Sequence, residues 1–322
     1  MESALALIES ELKNVELQFK KDLESDVFLI RKVGEYVLSS GGKRIRPALL
    51  LLSAKLCGYE GQRHISLASV IEFIHTATLL HDDVVDNASL RRGLASANTL
   101  WGNEASVLVG DYLFSKSFSL MVEDGDLDIL RVLSGATTII AQGEVMQLVS
   151  MSDLEMTEER YIEVVKCKTA VLLATACQAG AILGKVSPEQ EAALRDFGMD
   201  LGIAFQLIDD TLDYISSEEQ FGKSIGHDLE EGKITLPLIH TLRNCTPAEK
   251  REIADVIVSD TLEDADFQKV VSLVRSCGGI EYSMRKSLDF VNRGKKRLAL
   301  FPDSPGKQAM FALADYVVTR CH

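Results

Sequence analysis

The residues in this sequence that are most clearly suited to chemistry are two copies of one aspartate pattern. The first, D-D-V-V-D, spans residues 82–86, and the second, D-D-T-L-D, spans residues 209–213. In each copy the first and last carboxylates are four residues apart, so a helix would place them one turn apart on one face. Apolar residues precede both copies, and carboxylates that repel one another on an apolar helix require a compensating cation.

Magnesium is the cation that this arrangement predicts. Mg²⁺ binds few carboxylate oxygens directly, keeps several waters and completes its shell with substrate phosphates. A single copy would often be a solvated helix end, whereas two copies that face each other would form a cage for a magnesium-bridged diphosphate. The predicted metal ligands are Asp82, Asp83, Asp86, Asp209, Asp210 and Asp213.

Basic residues flank both motifs in a chain that is otherwise acidic. There are 34 Lys and Arg against 48 Asp and Glu, a formal net charge of −14, which argues against nucleic acid as a partner. Diphosphate recognition combines metal ions with Lys and Arg donors. The flanking basic residues are Lys43, Arg44, Arg46, Arg91, Arg92, Lys166, Lys168, Lys223 and Lys233.

Helices are the elements that must position these residues. Nearly every segment between turns has apolar residues at 3.6-residue spacing, and no Asn-Gly or Asp-Gly hairpin lies between alternating strands. Prolines mark predicted helix starts at Pro188, Pro237, Pro247 and Pro305. Because no linker or repeat divides the 322 residues, we expect one all-α domain over residues 1–322.

The chain has no segment with the roughly 20 apolar residues of a membrane span. Its longest candidate runs from Ala170 to Gly184, and the acidic N-terminus does not look like a secretion signal. The six cysteines show no metal-binding spacing, which excludes a zinc site of the usual kind. We therefore expect a cytoplasmic protein with free thiols and no transmembrane segment.

Six segments have the order and spacing of motifs in a known family: GGKRIRPALLLL, EFIHTATLLHDDVVD, LRRG, VGDYL, KCKTA and FQLIDDTLDY. Between about Gly41 and Pro237 the sequence closely resembles the trans-isoprenyl diphosphate synthases. It is most similar to the long-chain bacterial members that make the octaprenyl-type side chain of respiratory quinones. The resemblance implies an all-α isoprenoid synthase fold, a single large helical domain around a deep central cavity, and a homodimer.

The activity implied by this resemblance is a magnesium-dependent prenyltransferase with about three Mg²⁺ ions per active site. It would condense isopentenyl diphosphate repeatedly onto an allylic primer such as farnesyl diphosphate, making a long-chain all-trans polyprenyl diphosphate. Matching positions assign the isopentenyl diphosphate site to Lys43, Arg46, His75 and Arg92. They assign the allylic diphosphate site to Arg91, Lys168, Thr169, Gln206, Lys223 and Lys233. The catalytic set would be the six aspartates and Lys168.

Product length is expected to depend on the first aspartate helix. Ala77 and Thr78 lie five and four residues before Asp82, about 6–7.5 Å below the metals by the helical rise. In the family that the chain resembles, bulky aromatics here give short products, and small side chains leave a tunnel open. The floor would then lie deeper, at Met121 or Leu133, unless both are plain core residues.

Other functions remain open from the sequence. A shorter-chain synthase, making geranylgeranyl or farnesyl diphosphate, would share every motif. A non-catalytic subunit of a heteromeric synthase would tolerate eroded aspartate motifs, and both motifs are intact here. A class I terpene cyclase usually lacks the GGKR segment and the second motif. A metal phosphohydrolase, suggested by His81-Asp82, would need further histidine ligands.

Overall fold

The computed structural model describes residues 5–215, 227–258 and 264–319, and the chain forms two compact units. Unit 1 comprises Met1–Thr137, Leu172–Gly198 and Arg297–Leu313. Unit 2 comprises Thr138–Val171, Met199–Lys296 and Ala314–His322. Each unit is thus assembled from three separate stretches of the sequence.

Helices account for nearly all of the regular structure in the described residues. In the first part of the chain they are α1 (Glu9–Asp22), α2 (Phe28–Ser39), α3 (Ile45–Leu56), α4 (Arg63–Val85), α5 (Ala97–Trp101), α6 (Asn103–Asp124) and α7 (Leu127–Leu148). A hairpin of two short antiparallel strands, β1 (Leu90–Arg91) and β2 (Leu94–Ala95), lies between α4 and α5.

The second part of the chain continues this helical pattern. Its helices are α8 (Glu158–Val165), α9 (Val171–Gly184), α10 (Pro188–Leu212), α11 (His227–Glu230), α12 (Leu236–Asn244), α13 (Pro247–Val258), α14 (Asp264–Ser276), α15 (Gly279–Arg297) and α16 (Pro305–Thr319). A π-helical turn, Lys166–Ala170, joins α8 to α9, and a 3₁₀ turn, Leu298–Leu300, follows α15.

Helix α4 is the core element of unit 1. Its 23 residues are mostly buried, and α1, α3 and α6 pack around it. The Phe19 ring of α1 stacks on Phe73 with centroids 4.2 Å apart. The helix ends within the first aspartate motif, and Asn87 just beyond the motif adopts the left-handed conformation (φ 50°) that commonly terminates a helix.

The β1–β2 hairpin is a feature that the sequence patterns did not predict. Arg92 (φ 54°) and Gly93 (φ 78°) form its two-residue turn, and both have the positive φ of a type I′ turn. The usual Asn-Gly and Asp-Gly signatures are absent, so nothing in the local sequence distinguished it. The Tyr36 hydroxyl donates to the Ala95 carbonyl (2.7 Å) and fixes the hairpin to α2.

Two glycines allow helices of unit 2 to pack on the π-helical turn. A Cβ atom at Gly143 of α7 would lie 2.5 Å from the Lys168 backbone nitrogen, and one at Gly202 of α10 would lie 2.5 Å from the Ala170 Cα. Contacts that short do not occur in folded proteins, so any larger residue would push these helices away from the turn.

The proline-marked helix starts are confirmed. At α10, the Gln190 backbone N–H donates to Ser187 Oγ (3.3 Å), and the Ser187 N–H donates to Gln190 Oε1 (3.2 Å). Thr246 and Glu249 make the same reciprocal pair at α13. These are capping boxes, in which two otherwise unpaired backbone donors are satisfied. Helices α12 and α16 also begin beside their predicted prolines.

Among the described residues one helical stretch, Glu158–Gly184, is long and apolar enough to cross a membrane by length and composition alone. Within the protein, however, 72% of its apolar window is buried. Burial of that extent is typical of a core helix.

The five described cysteines, Cys57, Cys167, Cys177, Cys245 and Cys277, are free thiols, as expected. Burial raises the pKa of both Cys57 and Cys177 to about 12. Since the thiolate is the reactive form, these two side chains are suited to packing rather than to chemistry.

Candidate active site

The first aspartate motif lies at the C-terminal end of α4. The Asp86 backbone N–H donates to the Asp82 carbonyl (2.8 Å), so the helical turn closes and both residues stay on one face. Their side chains are half-buried. The C-terminus of a helix carries partial negative charge, which adds to the two carboxylates and favours a bound cation.

The middle aspartate of this motif, Asp83, is held inside the protein. Its side chain is buried, Arg91 donates from Nε to Asp83 Oδ1 (2.6 Å), and Arg91 Nη2 forms an ion pair with the same oxygen at 2.6 Å. Burial raises the pKa of Asp83, and the charge of Arg91 opposes that rise. Asp83 therefore anchors the hairpin to α4.

The loop before α3 brings together several predicted diphosphate-binding residues. Gly41 (φ 86°) and Gly42 (φ 143°) have backbone conformations that favour glycine. A Cβ atom at Gly42 would lie 2.8 Å from Arg92 Nη1, so the missing side chain lets the Arg92 guanidinium lie against the loop. Lys43 is exposed in the same loop.

His75 and Arg46 form a second contact between α3 and α4. Arg46 Nη1 lies 3.0 Å from His75 Nε2. Burial, followed by the charges of Arg46 and Arg92, holds the pKa of His75 well below its usual range. The imidazole is thus neutral and accepts from Arg46, and Lys43, Arg46, His75 and Arg92 all lie around the start of α3.

His81, which suggested a phosphohydrolase, has a different environment. Its Nε2 lies 3.2 Å from Asp111 Oδ1 and 3.3 Å from the Val107 carbonyl oxygen of α6. In the described part of the chain no three His, Cys, Asp or Glu side chains cluster tightly enough to hold a metal by themselves. This pattern does not support a metal phosphohydrolase.

The second aspartate motif ends α10 in the way that the first ends α4. The Asp213 N–H donates to the Asp209 carbonyl (3.3 Å), and both side chains are half-buried. Asp213 Oδ2 also accepts the backbone N–H of Asp228 (3.1 Å). The turn at the end of α10 is therefore tied to the segment that carries α11.

The middle aspartate, Asp210, is again buried, but its donors are neutral. The Tyr161 hydroxyl donates to Asp210 Oδ2, and Gln206 Nε2 donates to Oδ1 (2.7 Å). Thr169 of the π-helical turn donates to Gln206 Oε1 (2.9 Å). Burial raises the pKa of Asp210 to about 6 against these hydrogen bonds. Thr169, Gln206 and Asp210 therefore form one network.

A cavity of about 110 Å³ opens beside this network in unit 2. Lys168 reaches it and donates to Glu144 Oε2 of α7 (2.7 Å), while Lys233 pairs with Glu231. The polar side chains that line the cavity are Gln147, Ser150, Tyr161, Lys168, Thr169, Gln206, Asp210, Asp228, Lys233 and Thr235. The predicted Lys223 lies outside the described residues.

Sequence reasoning missed Tyr161, Glu144 and Asp228 as parts of this region. The pKa of Asp228 is raised well above its usual range by burial and by the facing carboxylates Asp210 and Asp213. Neither Tyr161 nor Glu144 lies in one of the motifs, and Asp228 comes only two residues after the undescribed segment. The clearest available signal was the acidic H-D-L-E-E-G-K run that begins at residue 227.

The two residues expected to control product length lie on α4 as predicted. Ala77 is fully buried, and Thr78 is half-buried with its hydroxyl donating to the His75 carbonyl (2.8 Å). Met121 and Leu133 are also fully buried. Their role in product length stays a prediction.

The side chains fit a magnesium-diphosphate site. The two motifs offer carboxylate oxygens as ligand atoms, and each motif places two half-buried carboxylates at the negative end of a helix. Since Mg²⁺ uses few protein ligands and completes its shell with water and phosphate, a preformed cluster of three protein ligands is not required.

Comparison with known proteins gives one consistent family. Residues 28–274 match the family described as polyprenyl synthetase. Over 320 residues the chain is 43% identical to octaprenyl diphosphate synthase of Escherichia coli (strain K12), covering 99% of each chain. The crystal structure of polyprenyl synthase from Caulobacter crescentus, complexed with calcium and isoprenyl diphosphate, has a TM-score of 0.96 at 39% identity, covering 99% of this chain and 97% of that one. A decaprenyl diphosphate synthase from Rhodobacter capsulatus gives 0.95 at 39% identity, covering 100% and 99%.

Proposed function

The chain belongs to the polyprenyl synthetase family, and we propose that it condenses isopentenyl diphosphate repeatedly onto an allylic diphosphate to make a long-chain all-trans polyprenyl diphosphate. The observation that carries this proposal is the pair of aspartate motifs, each ending a helix beside basic and hydroxyl donors. The full-length similarity to an octaprenyl diphosphate synthase supports the long product.

We assign direct magnesium contacts to the half-buried first and last carboxylates of each motif, Asp82, Asp86, Asp209 and Asp213. Asp83 and Asp210 stay predicted ligands as well, and the protein donors that contact them would orient their carboxylates within the motif. Bound Mg²⁺, about three ions in this proposal, would neutralise the diphosphate and stabilise it as a leaving group. A neighbouring structure that binds calcium with isoprenyl diphosphate supports a divalent site.

The residues of the protein bind and orient the two substrates. Isopentenyl diphosphate is assigned to the loop and hairpin cations with neutral His75, namely Lys43, Arg46, His75 and Arg92. The allylic diphosphate is assigned to Arg91, Lys168, Thr169, Gln206, Lys223 and Lys233. Charge-assisted hydrogen bonds from these groups hold the diphosphates and favour departure of the allylic one.

The reaction then needs positioning and exclusion of water. The allylic C–O bond breaks, and the double bond of isopentenyl diphosphate attacks the resulting cation. The isopentenyl unit then loses a proton from the carbon next to the one that the attack leaves positively charged. We assign that proton to the departing diphosphate. The small side chains of Ala77 and Thr78 would let the product grow along α4 over repeated cycles.

We also propose that residues 1–322 act as one catalytic domain in a cytoplasmic homodimer that supplies quinone side chains. The interleaving of both units along the sequence supports a single domain. Exposed apolar side chains support self-association, since a second copy of the chain would cover them. On α6 they include Leu108 and Val122, and on α7 they include Val145 and Leu148.

The test is an incubation of the purified protein with Mg²⁺, farnesyl diphosphate and labelled isopentenyl diphosphate, followed by chromatography of the product. We expect a long-chain polyprenyl diphosphate. A product of about 20 carbons, the primer extended once and roughly the reach of an early floor, would identify a shorter-chain synthase instead. Failure to consume isopentenyl diphosphate, alone or with a partner chain, would reject the proposal.

A further inference from the structure

Glu72 is a buried charged residue that the proposed reaction does not use. It lies on α4 with 4% of its surface exposed. A buried carboxylate is unfavourable unless it is paired and hydrogen-bonded. Arg44 supplies the partner, since its Nη1 donates to Glu72 Oε2 at 2.5 Å.

Arg44 holds a backbone conformation that its side chain contacts must stabilise. It is the residue before α3 and adopts φ 48° and ψ 35°, a left-handed conformation that is costly for residues other than glycine. Besides Glu72, its guanidinium donates from Nη2 to the Leu38 carbonyl at the end of α2 (2.7 Å). Arg44 therefore ties the loop to both α2 and α4.

Space remains beside this pair, so the hydrogen bonds contribute more to holding the guanidinium. A cavity of about 170 Å³ lies against Arg44 and Glu72 on the side of α1. Leu12, Phe19 and Pro47 contribute to its apolar lining. A side chain next to such a space loses dispersion contacts on that side and depends more on its polar partners.

The position of Arg44 connects this pair to the phosphate-binding residues. Arg44 lies between Lys43 and Arg46 in the sequence, and Gly42 lies against the Arg92 guanidinium. Arg44 and Arg92 repel each other, while the negative charge of Glu72 acts favourably on Arg92. Glu72 thus compensates the repulsion that assembling these cations creates.

We propose that Glu72, acting through Arg44, is a positioning residue that sets the loop geometry for binding isopentenyl diphosphate. The inference rests on the proposed isopentenyl diphosphate site. Neither residue touches substrate in this account. Loss of the pair should therefore weaken binding of one substrate and leave the chemical step and the other substrate nearly unaffected.

The test is steady-state kinetics of Glu72→Gln, Arg44→Gly and the double variant, with each substrate varied in turn. We expect each to raise KM for isopentenyl diphosphate about tenfold, with kcat and KM for farnesyl diphosphate changed about twofold or less. Arg44→Gly removes the side chain but suits the left-handed backbone, and the double variant leaves no unpaired buried charge. Because the two residues act as a unit, the double variant should resemble the single ones.

Asp124→Asn is the matched control, because Arg63 holds Asp124 through two hydrogen bonds (2.8 and 2.6 Å) at the other end of α4. It should lower the melting temperature without changing KM for isopentenyl diphosphate. An unchanged KM in a folded double variant, or an equal rise in the control, would overturn the inference. Wild-type protein that does not consume isopentenyl diphosphate would instead reject the proposed function.

Discussion

The two aspartate motifs end their helices alike but lie in opposite electrostatic surroundings. Around the first, burial and then the charges of neighbouring arginines lower the pKa of both His75 and Arg92. Around the second, burial and neighbouring carboxylates raise the pKa of Asp210 and Asp228. The first region can therefore hold diphosphate oxygens with its own cations, whereas the second depends more on cations that arrive with the substrate.

The middle aspartates show the same contrast. Asp83 is paired with the charged Arg91, while Asp210 accepts from the neutral Tyr161 and Gln206. One motif is fixed by an ion pair and the other by a hydrogen-bond network. Both arrangements offset the unfavourable free energy of burying a carboxylate.

The largest expected effect is loss of turnover on removing a first aspartate. Asp82→Ala and Asp209→Ala should each lower kcat by about a thousandfold or more, because each removes a proposed metal ligand. Excess Mg²⁺ should restore less activity to Asp209→Ala, because carboxylates face one another in the described part of its region. Magnesium titrations of kcat, with circular dichroism to monitor helix content, measure both effects.

Asp128→Ala, at an exposed position of α7, is the control and should behave as wild type. Near-normal activity of Asp82→Ala at saturating Mg²⁺ would contradict the proposed metal site. Equal rescue of both variants would contradict the electrostatic contrast between the regions.

The second prediction compares two alanines that each lie five residues before a motif. Ala77 on α4 and Ala204 on α10 are both fully buried. Ala77→Phe should stop elongation at roughly 15 to 20 carbons, since the ring would lie about 7.5 Å from the motif by the helical rise. Ala204→Phe should instead cost about 1–3 kcal/mol through overpacking, without a defined shorter product.

Product chromatography and thermal melting distinguish these two outcomes. A well-folded Ala77→Phe enzyme with unchanged product length would show that the growing chain does not pass this residue.

The third prediction separates the substrates. Arg92→Ala should mainly raise KM for isopentenyl diphosphate, and Lys168→Ala should mainly impair use of the allylic substrate. Each loss of a charge-assisted hydrogen bond should cost about 1.5–3 kcal/mol. Steady-state kinetics with each substrate varied in turn measure these effects. Equal effects of both variants on both substrates would contradict the assignment of Arg92 and Lys168 to different substrates.

The fourth prediction concerns stability and the middle aspartates. Asp83→Asn should lower the free energy of unfolding by about 2–4 kcal/mol, because it leaves the partly buried Arg91 without its charged partner. Asp210→Asn should cost only about 1 kcal/mol, since Tyr161 can still donate to the amide oxygen. Urea unfolding without metal measures the difference, and the reverse order would show that the ion pair is not the stronger anchor.

The contacts of Asp83 and Asp210 also show which features the sequence could not predict. Local signals sufficed for the helices that begin at Pro188 and Pro247, because a capping box involves only residues three apart. The motif carboxylates were placed correctly on helix faces for the same reason. By contrast, Tyr161 lies 49 residues from Asp210, and no periodic pattern connects them.

The hairpin and the π-helical turn could not be predicted from the sequence either. Arg92 adopts a left-handed conformation because the turn and the contact with Gly42 require it, not because arginine prefers it. Residues 166–170 widen the helix where Gly143 and Gly202 approach. Both features depend on tertiary contacts between segments that are distant in sequence.

The smallest expected effect is the acid sensitivity that His75 confers. Its pKa is lowered in the folded protein, so below the unfolded value of about 6.5 the unfolded chain takes up a proton that the folded chain does not. This contribution to stability is therefore lost as pH falls below about 6.5. Between pH 7.5 and 5.5, His75→Gln should lose about 1 kcal/mol less than wild type in urea unfolding. Equal losses would show that His75 is not held neutral.

The most direct test of repeated condensation is the amount of diphosphate released for each farnesyl diphosphate consumed, measured to completion with Mg²⁺ and excess isopentenyl diphosphate. Each condensation releases one diphosphate from the allylic partner, so the ratio counts the cycles. We predict a ratio well above one, with label from isopentenyl diphosphate recovered in a single long product. A ratio of one, or release of diphosphate without incorporation of label, would contradict the proposed function.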